Sequence, residues 1–437
     1  MTSDGRLRSA AVAVLRRNDL GHMVTAAPDL YPHMWSWDAA FVAAGLTRVS
    51  VPRAIQELST LVAAQWGSGM IPHIVFSGEE GYFPDVQRWG TVPFSPEGVR
   101  SSGICQPPVH AIALRHILDA GRAAGGGVRE EAEAFLTSTM DRWAAWHEWL
   151  AEARDPDGVG LLEIHHGWES GMDNSPRFDG PYSRVRPGAL EPYERADLKA
   201  VRDTTQRPTD EEYDRYLWLV KQMADVGYDD DRVREAVDFR VRDVFMSAVM
   251  ALGCRVLAGV AREVGREDVA TRQDDLAARF TRGVDATLDP GTGLARDYDI
   301  RAGEWVSTQT VAGFSPLLSS QDPQLRRRQW EVLRGRQWLG HPRLAHPLPP
   351  STCPDSPDFR PRQYWRGPVW PFLNWLIGWS VLQHGEEGGY DALREASLAQ
   401  LGDQRFAEYY EPLTCEPLGS INQSWTAAVS LLWLDGV

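Results

Sequence analysis

Cysteine, lysine and long apolar runs are all scarce in this chain of 437 residues. The four cysteines, Cys105, Cys254, Cys353 and Cys415, lie far apart and form no CxxC pair. That spacing argues against a zinc site or a disulfide framework and predicts buried free thiols. Lysine occurs only at 199 and 221, against 43 arginines, a bias of genome composition rather than of chemistry. No apolar run reaches the roughly 20 residues of a membrane span. The start of the chain, Met1 to Asn18, mixes Arg with Ala and Val and has no signal-peptide core. The expectation is a soluble, cytoplasmic protein with no membrane partner. Positive charge is in deficit too. A net charge of -15, with arginines scattered rather than gathered in a stripe, argues against nucleic acid as a partner. A small anion remains admissible wherever a single Arg faces it. A homo-oligomer is compatible with the sequence, which does not fix the oligomeric state.

What is present is a globular composition, 43% apolar and 24% charged, with 18 Trp, which excludes disorder. The length exceeds what one compact core usually reaches, so the chain forms either two domains or one toroid. After Gln106, apolar residues recur at helical spacing through Val109, Ile112, Ala113 and Ile117, and a glycine cluster, Gly125 to Gly127, ends the run. A second helical face follows at once through Ala132, Phe135, Leu136, Trp143, Trp146 and Leu150. The two make a helical hairpin. Phe245, Val249, Leu252, Val256 and Val260 repeat the design, with a partner helix through Leu276 and Phe280 after Gly265. Val369 to Leu382 and Ile421 to Leu434 read as further helices. Strand signals are limited to Ile71 to Phe76 and Glu304 to Val306. The fold is therefore expected to be mainly α.

Pro- and Gly-rich stretches separate these helices, at Val75 to Ser102, Asp155 to Val185 and His341 to Gly367. They exceed the usual connection of about 4–6 residues, as functional loops do. Gly180 to Asp231 is the largest interruption and reads as a partly helical lid. No Ser/Gly linker divides the chain, so a single domain over residues 1–437 is expected.

Four segments gather aromatic and polar residues: Tyr31 to Asp38, Trp168 to Arg177 (WESGMDNSPR), Gln363 to Trp370 (QYWRGPVW) and Ala407 to Thr414 (AEYYEPLT). Rings with carboxylates between them suit a sugar, whose C–H faces pack on aromatics while its hydroxyls need polar partners. A glycosidase further needs two carboxyl groups, one protonated and one ionised.

These segments resemble the signatures of glycoside hydrolase family 63 and its neighbours with an (α/α)6 barrel, in the family's order from Tyr31 to Trp425. The resemblance implies an all-α (α/α)6 toroidal barrel with long active-site loops and an inverting glycosidase. On the matched motifs, Asp173 would be the general acid and Glu408 the general base. Glu411 falls on an Asn/Asp position of the family pattern, and Cys415 departs from a Gly. Within the family the likeness is to short actinobacterial members that cleave an α-glucoside of glycerate. It implies a glucosyl pocket of Tyr31, Trp35, Trp37, Asp38, Gln106, Trp168, Tyr364, Trp365 and Trp370, with Gln423 placing the base or its water. Arg207, Tyr213 and Tyr82 would hold the glycerate carboxylate, a group that a planar guanidinium binds through two parallel hydrogen bonds. This chemistry needs no metal and no organic cofactor. Mannosylglycerate, trehalose or an oligosaccharide are the alternative substrates.

Ordinary readings compete with each assignment. Asp173 in an Asp-Asn-Ser-Pro run suits a turn or helix cap, Glu408 could simply be solvated, with Glu411 three residues on as the alternative base, and Arg207 could be a surface ion-pair residue. Trp143, Trp146 and Trp149 read as packing or helix-surface residues. Asp229 to Asp231 lacks the spaced ligands of a calcium loop and reads as a helix start. His165 and His166 beside the acid loop would suit a sugar epimerase on the same barrel, and a non-catalytic sugar-binding protein would also explain aromatic loops.

Overall fold

The structure is a computed structural model that describes residues 2–79, 81–195, 197–200 and 203–436. Among these residues, twelve helices form two concentric rings. In chain order they are α1 (Ser3–Arg17), α2 (Ser36–Leu46), α3 (Val51–Ala63), α4 (His110–Ala124), α5 (Gly126–Ala153), α6 (Val244–Glu263), α7 (Glu267–Asp285), α8 (Pro316–Ser319), α9 (Pro323–Leu333), α10 (Pro371–Gln383), α11 (Glu387–Gln400) and α12 (Ser424–Asp435). The inner helices contact one another in the closed order α2, α4, α6, α8, α10, α12 and back to α2. Each packs against an outer helix adjacent in sequence, except that α12 closes the ring against α1. This is an (α/α)6 barrel.

Composition explains which helices lie inside. Every residue of α2 is buried, as is nearly all of α10 and α12, and such helices are apolar around their whole circumference. Outer α1 buries only Leu7, Ala11, Val14 and Leu15, a single stripe. Inner helices also approach closely: a Cβ on Gly45 of α2 would lie 2.6 Å from the Ala428 Cβ of α12.

The two hairpins read from periodicity are α4–α5 and α6–α7. Trp143, Trp146 and Trp149 are buried on α5. The last two inner helices begin at Pro371 and Ser424, later than the apolar pattern suggested, because Trp370 and Gln423 take extended cap conformations. The helix α6 is long and apolar enough to cross a membrane, its apolar stretch being interrupted by Arg255 and Arg262. It is a core helix, however, with most of its residues buried in the barrel. One expectation is corrected, that of four buried thiols: Cys105, Cys254 and Cys353 are buried and free, whereas Cys415 is half-exposed.

Short strands gather at the N-terminal ends of the inner helices. Met34–Trp35 (β1) pairs with Ile74–Val75 (β2) and runs straight into α2. Leu162–Ile164 (β3), Val241–Asp243 (β4), Tyr298–Asp299 (β5) and Glu304–Trp305 (β6) form one antiparallel sheet, and β4 leads into α6. Tyr409–Tyr410 (β7) and Pro417–Leu418 (β8) form a hairpin before α12. The strands expected near residues 71–76 and 304–306 are β2 and β6, whereas β3 and β4 carried no readable alternation.

The interruption at 180–231 is partly helical, with its longest helix at Asp210–Asp225. Ala196, Val201 and Arg202 within it lie outside the described residues. The segment is tied to the 75–102 loop by Tyr193 stacked on Phe83, with centroids 5.4 Å apart at 5°, and by Arg88 Nη2 donating to the Glu191 carbonyl at 3.0 Å. Asp230 and Asp231 begin a short helix capped by Asp229.

Candidate active site

The N-terminal ends of α2, α4, α10 and α12 converge on a cavity of about 870 Å³, counting its open mouth. Trp35, Trp37 and Asp38 come from the start of α2, Gln106 precedes α4, Trp370 caps α10, and Gln423 and Trp425 begin α12. The long loops supply Tyr31, Tyr82, Trp168, Asp173, Tyr364, Trp365 and Glu408, and the 180–231 segment supplies Arg207 and Tyr213. All fifteen side chains assigned by the resemblance to catalysis or to the glycoside thus line one cavity. Its walls are interlocked rings. Trp365 stacks on Trp370 at 3.9 Å and 4°, while Tyr31 and Tyr82 meet Trp35 edge-on at 5.1 and 5.4 Å. Tyr364 is held at φ +42°, a left-handed conformation that bulky residues seldom adopt outside sites that require it.

The loop bearing Asp173 is anchored by its own motif. Glu169 is buried and accepts two hydrogen bonds from Arg154 at 2.8 and 3.0 Å and one from the His165 backbone N–H at 2.7 Å. These partners hold its pKa below the ordinary value despite burial. Arg177 is buried between Asp243 and Asp297 at 2.8 and 2.9 Å, which ties the loop to β4 and α6. A Cβ on Gly171 would collide with the Trp37 ring, so only glycine lets the loop lie against α2. Asn174 Oδ1 accepts the Trp365 N–H at 2.9 Å. Asp173 itself receives no side-chain hydrogen bond among the described residues. It does not serve as a cap, and it faces the cavity half-buried. Burial, reinforced by the Glu408 charge and opposed by Arg207, raises its pKa to about 7.

Glu408 is held quite differently. Its backbone N–H donates to the Ser420 carbonyl at 2.8 Å, beside the β7–β8 hairpin. Its Oε2 accepts the Ser420 N–H at 3.1 Å, and its Oε1 pairs with the Tyr31 hydroxyl at 3.0 Å. Arg207 Nη1 donates to the same Tyr31 oxygen at 2.9 Å. Because a guanidinium only donates, Tyr31 must pass its own proton toward Glu408, a chain in which each bond polarises the next. Burial raises the Glu408 pKa, while Arg207, Ser420, Tyr31 and Tyr364 pull it back. Asp38 is the third carboxyl. Burial and the Glu408 charge push it well above the usual range, and Gln423 Nε2 lies 3.5 Å from its Oδ1.

Glu411 does not reach the cavity. Its Oε2 accepts from the Leu413 N–H at 2.9 Å and from both the N–H and hydroxyl of Thr414, which makes it a turn-forming group. Cys415, standing where the resemblance expects Gly, takes φ +62°. The turn survives with a strained residue in the glycine conformation.

Arg207 is the only Arg or Lys among the described residues that line the cavity. It lies over the Tyr364 ring at 4.6 Å, and its Nε donates to Asp197 Oδ2 at 3.2 Å. Asp197 is in turn gripped by Arg195 at 3.1 and 2.7 Å. The surface ion-pair reading of Arg207 therefore fails, since both partners are buried. Tyr213 is buried beneath Arg195, with its hydroxyl 3.3 Å from the Phe83 carbonyl.

Sequence reading missed Asp197, His73, Tyr216 and Trp425, all of which line the cavity. The signal for Trp425 was its place two residues after Gln423. Asp197 and His73 had none, because Asp197 is met by Arg207 only when the segment folds back on itself and His73 by Ser102 from 29 residues away. His165 and His166 do not reach the cavity. His165 spends its ring nitrogens on Arg154 and Glu163, and His166 spends its own on the Trp168 N–H and the Tyr216 carbonyl. Neither has a ring nitrogen free for the proton transfer an epimerase requires.

Comparison with known proteins agrees with this geometry. Residues 31–426 match the mannosylglycerate hydrolase MGH1-like glycoside hydrolase domain. The chain is 51% identical over 435 residues to a glucosylglycerate hydrolase of Mycolicibacterium hassiacum, covering 98% of both chains. It is 37% identical to a mannosylglycerate hydrolase of Thermus thermophilus, covering 97% of this chain and 99% of the relative. A crystal structure of a GH63 mannosylglycerate hydrolase from Thermus thermophilus, in complex with Tris and D-glycerate, superposes with a TM-score of 0.89 at 37% identity, covering 98% of this chain and 99% of that one. The chain is a glycosidase, and it belongs to glycoside hydrolase family 63 through its MGH1-like domain.

Proposed function

We propose that this enzyme hydrolyses 2-O-(α-D-glucosyl)-D-glycerate to glucose and D-glycerate with inversion, Asp173 acting as general acid and Glu408 as general base. The observation that carries the reading is the unequal support of the two carboxyls in one cavity. Asp173 has no side-chain hydrogen-bond partner among the described residues and a pKa of about 7, so it still holds a proton near neutrality. Glu408 is offered an N–H, a polarised hydroxyl and a nearby guanidinium, all of which favour its anion. In this reading Asp173 protonates the glycosidic oxygen as the C–O bond breaks, while Glu408 removes a proton from water attacking the opposite face. That pathway needs carboxyls roughly 6.5–9.5 Å apart and delivers β-glucose from an α-glucoside.

Trp35, Trp37, Gln106, Trp168, Tyr364, Trp365 and Trp370 would enclose the glucosyl ring. Asp38, neutral in its buried setting, would donate to a sugar hydroxyl, and Gln423 would hold the water or its base. Arg207, with Tyr82 and Tyr213, would take the glycerate carboxylate, and the 180–231 segment that carries Arg207 would act as a lid within a single domain. The nearly full-length identity of 51% to a glucosylglycerate hydrolase, against 37% to a mannosylglycerate hydrolase, favours the glucoside. Mannosylglycerate is the second reading.

Steady-state kinetics on glucosylglycerate, mannosylglycerate and neutral glucosylglycerol test the substrate. Glucosylglycerate should have the highest kcat/KM. Arg207→Ala should slow both substrates, because Arg207 also supports Glu408 through Tyr31, but should cost the anionic substrate a further ~2 kcal/mol, roughly 30-fold, over the neutral one. Faster turnover of mannosylglycerate would select the second reading, and equal losses on charged and neutral substrates would remove Arg207 from carboxylate recognition.

A further inference from the structure

The segment that carries Arg207 touches the Glu408 hairpin at a second place. Gln206, buried beside Arg207, accepts the Gly419 N–H through its Oε1 at 3.1 Å. The next backbone N–H, that of Ser420, donates to Glu408 Oε2 at 3.1 Å. Gly419 sits at φ +67°, and a Cβ there would collide with Glu408 Oε2. Consecutive N–H groups of one tight turn therefore serve Gln206 and Glu408 separately, with the carboxylate lying directly against the glycine. A displacement of this turn as a body moves both bonds together. At the rim the contact continues: Arg362 bonds Glu416 at 2.5 Å and lies 3.9 Å from Asp203. On the far side of the carboxylate, Arg207 reaches Oε1 through Tyr31. Glu408 is thus held from both oxygens by neighbouring residues of a single segment.

We infer that Gln206 is a positioning residue for Glu408: through the Gly419–Ser420 turn it fixes the orientation of the base, so that recognition of the aglycone by Arg207 and alignment of the water-activating carboxylate belong to one unit. This rests on the reading of Glu408 as base.

Gln206→Met keeps the length and removes the acceptor, while Gln206→Glu keeps an acceptor oxygen. Both are assayed as the full chain, with the melting temperature as a check on folding, on glucosylglycerate and on α-glucosyl fluoride. The fluoride has no glycerate and a leaving group that needs little acid assistance, so its hydrolysis isolates the base. Gln206→Met should lower kcat about 10–100-fold on both substrates with KM changed less than about threefold, the pattern of an interaction that matters in the transition state. Gln206→Glu should recover much of that loss. An unchanged rate on the fluoride, or a loss confined to KM for glucosylglycerate, would overturn the inference and leave Gln206 a support for Arg207 alone. Glu408→Gln separates the two levels. If it leaves fluoride hydrolysis intact, the base assignment itself falls, whereas if it abolishes hydrolysis while Gln206→Met does nothing, only the positioning role falls.

Discussion

Asp173 and Glu408 occupy one cavity, yet their surroundings impose different costs on ionisation. For Asp173 the pKa rises from its ordinary value of 3.8 to about 7. Between those values the native chain keeps a proton that the unfolded chain has lost, so native stability falls as pH rises from about 4 to about 7 and is flat above. Asp173→Asn removes that penalty. It should leave kcat roughly 10³-fold lower while raising stability at pH 8 by on the order of 3 kcal/mol, a gain that shrinks toward zero near pH 4. Denaturant unfolding at several pH values measures it, and a pH-independent difference would contradict the burial argument. The same groups shape the rate profile. The alkaline limb of kcat/KM should fall near pH 7 as Asp173 deprotonates, and the acid limb should lie above an ordinary glutamate value because burial raises Glu408.

At the scale of elements, the acid-bearing loop is held by a buried charge cluster rather than by regular structure. Arg177→Met would leave Asp243 and Asp297 buried without their cation, a change that costs about 3–5 kcal/mol. Thermal unfolding should show it, and adding Asp297→Asn should recover part of the loss. Much of this was legible in the sequence, because Trp168 to Arg177 packs its anchors, its glycine and its acid into ten consecutive residues. The helical hairpins were legible for the same local reason. Strands β3 and β4 were not: they are three residues long and buried on nearly every side, so no alternation of polarity marks them. The starts of α10 and α12 were read early because Val369, Trp370 and Ile421 continue the apolar pattern, although Pro371 at the first helical turn carried the better signal. Asp197 was invisible because its role depends on Arg207 folding back onto it from ten residues away. Gln206 and Gly419 were missed likewise, their contact joining segments more than 200 residues apart.

At the scale of the whole molecule, closing six inner helices into a ring places several of their N-terminal ends around one cavity. Aligned peptide dipoles make such ends favourable to negative charge, and here they face Asp38, Asp173 and Glu408 in a protein of net charge -15. Burial inside the ring raises the pKa of Asp173 and Glu408 alike, and at Glu408 the Arg207 charge with the Ser420, Tyr31 and Tyr364 hydrogen bonds offsets it. An aglycone carboxylate would meet this acidic interior at the one place where Arg207 offsets it. The central claim, a protonated Asp173 opposite an ionised Glu408, has a direct stereochemical consequence. Proton NMR of the first turnovers on glucosylglycerate, before mutarotation, identifies the anomer released. The account requires β-glucose to appear first, whereas initial α-glucose would mean retention and would contradict it.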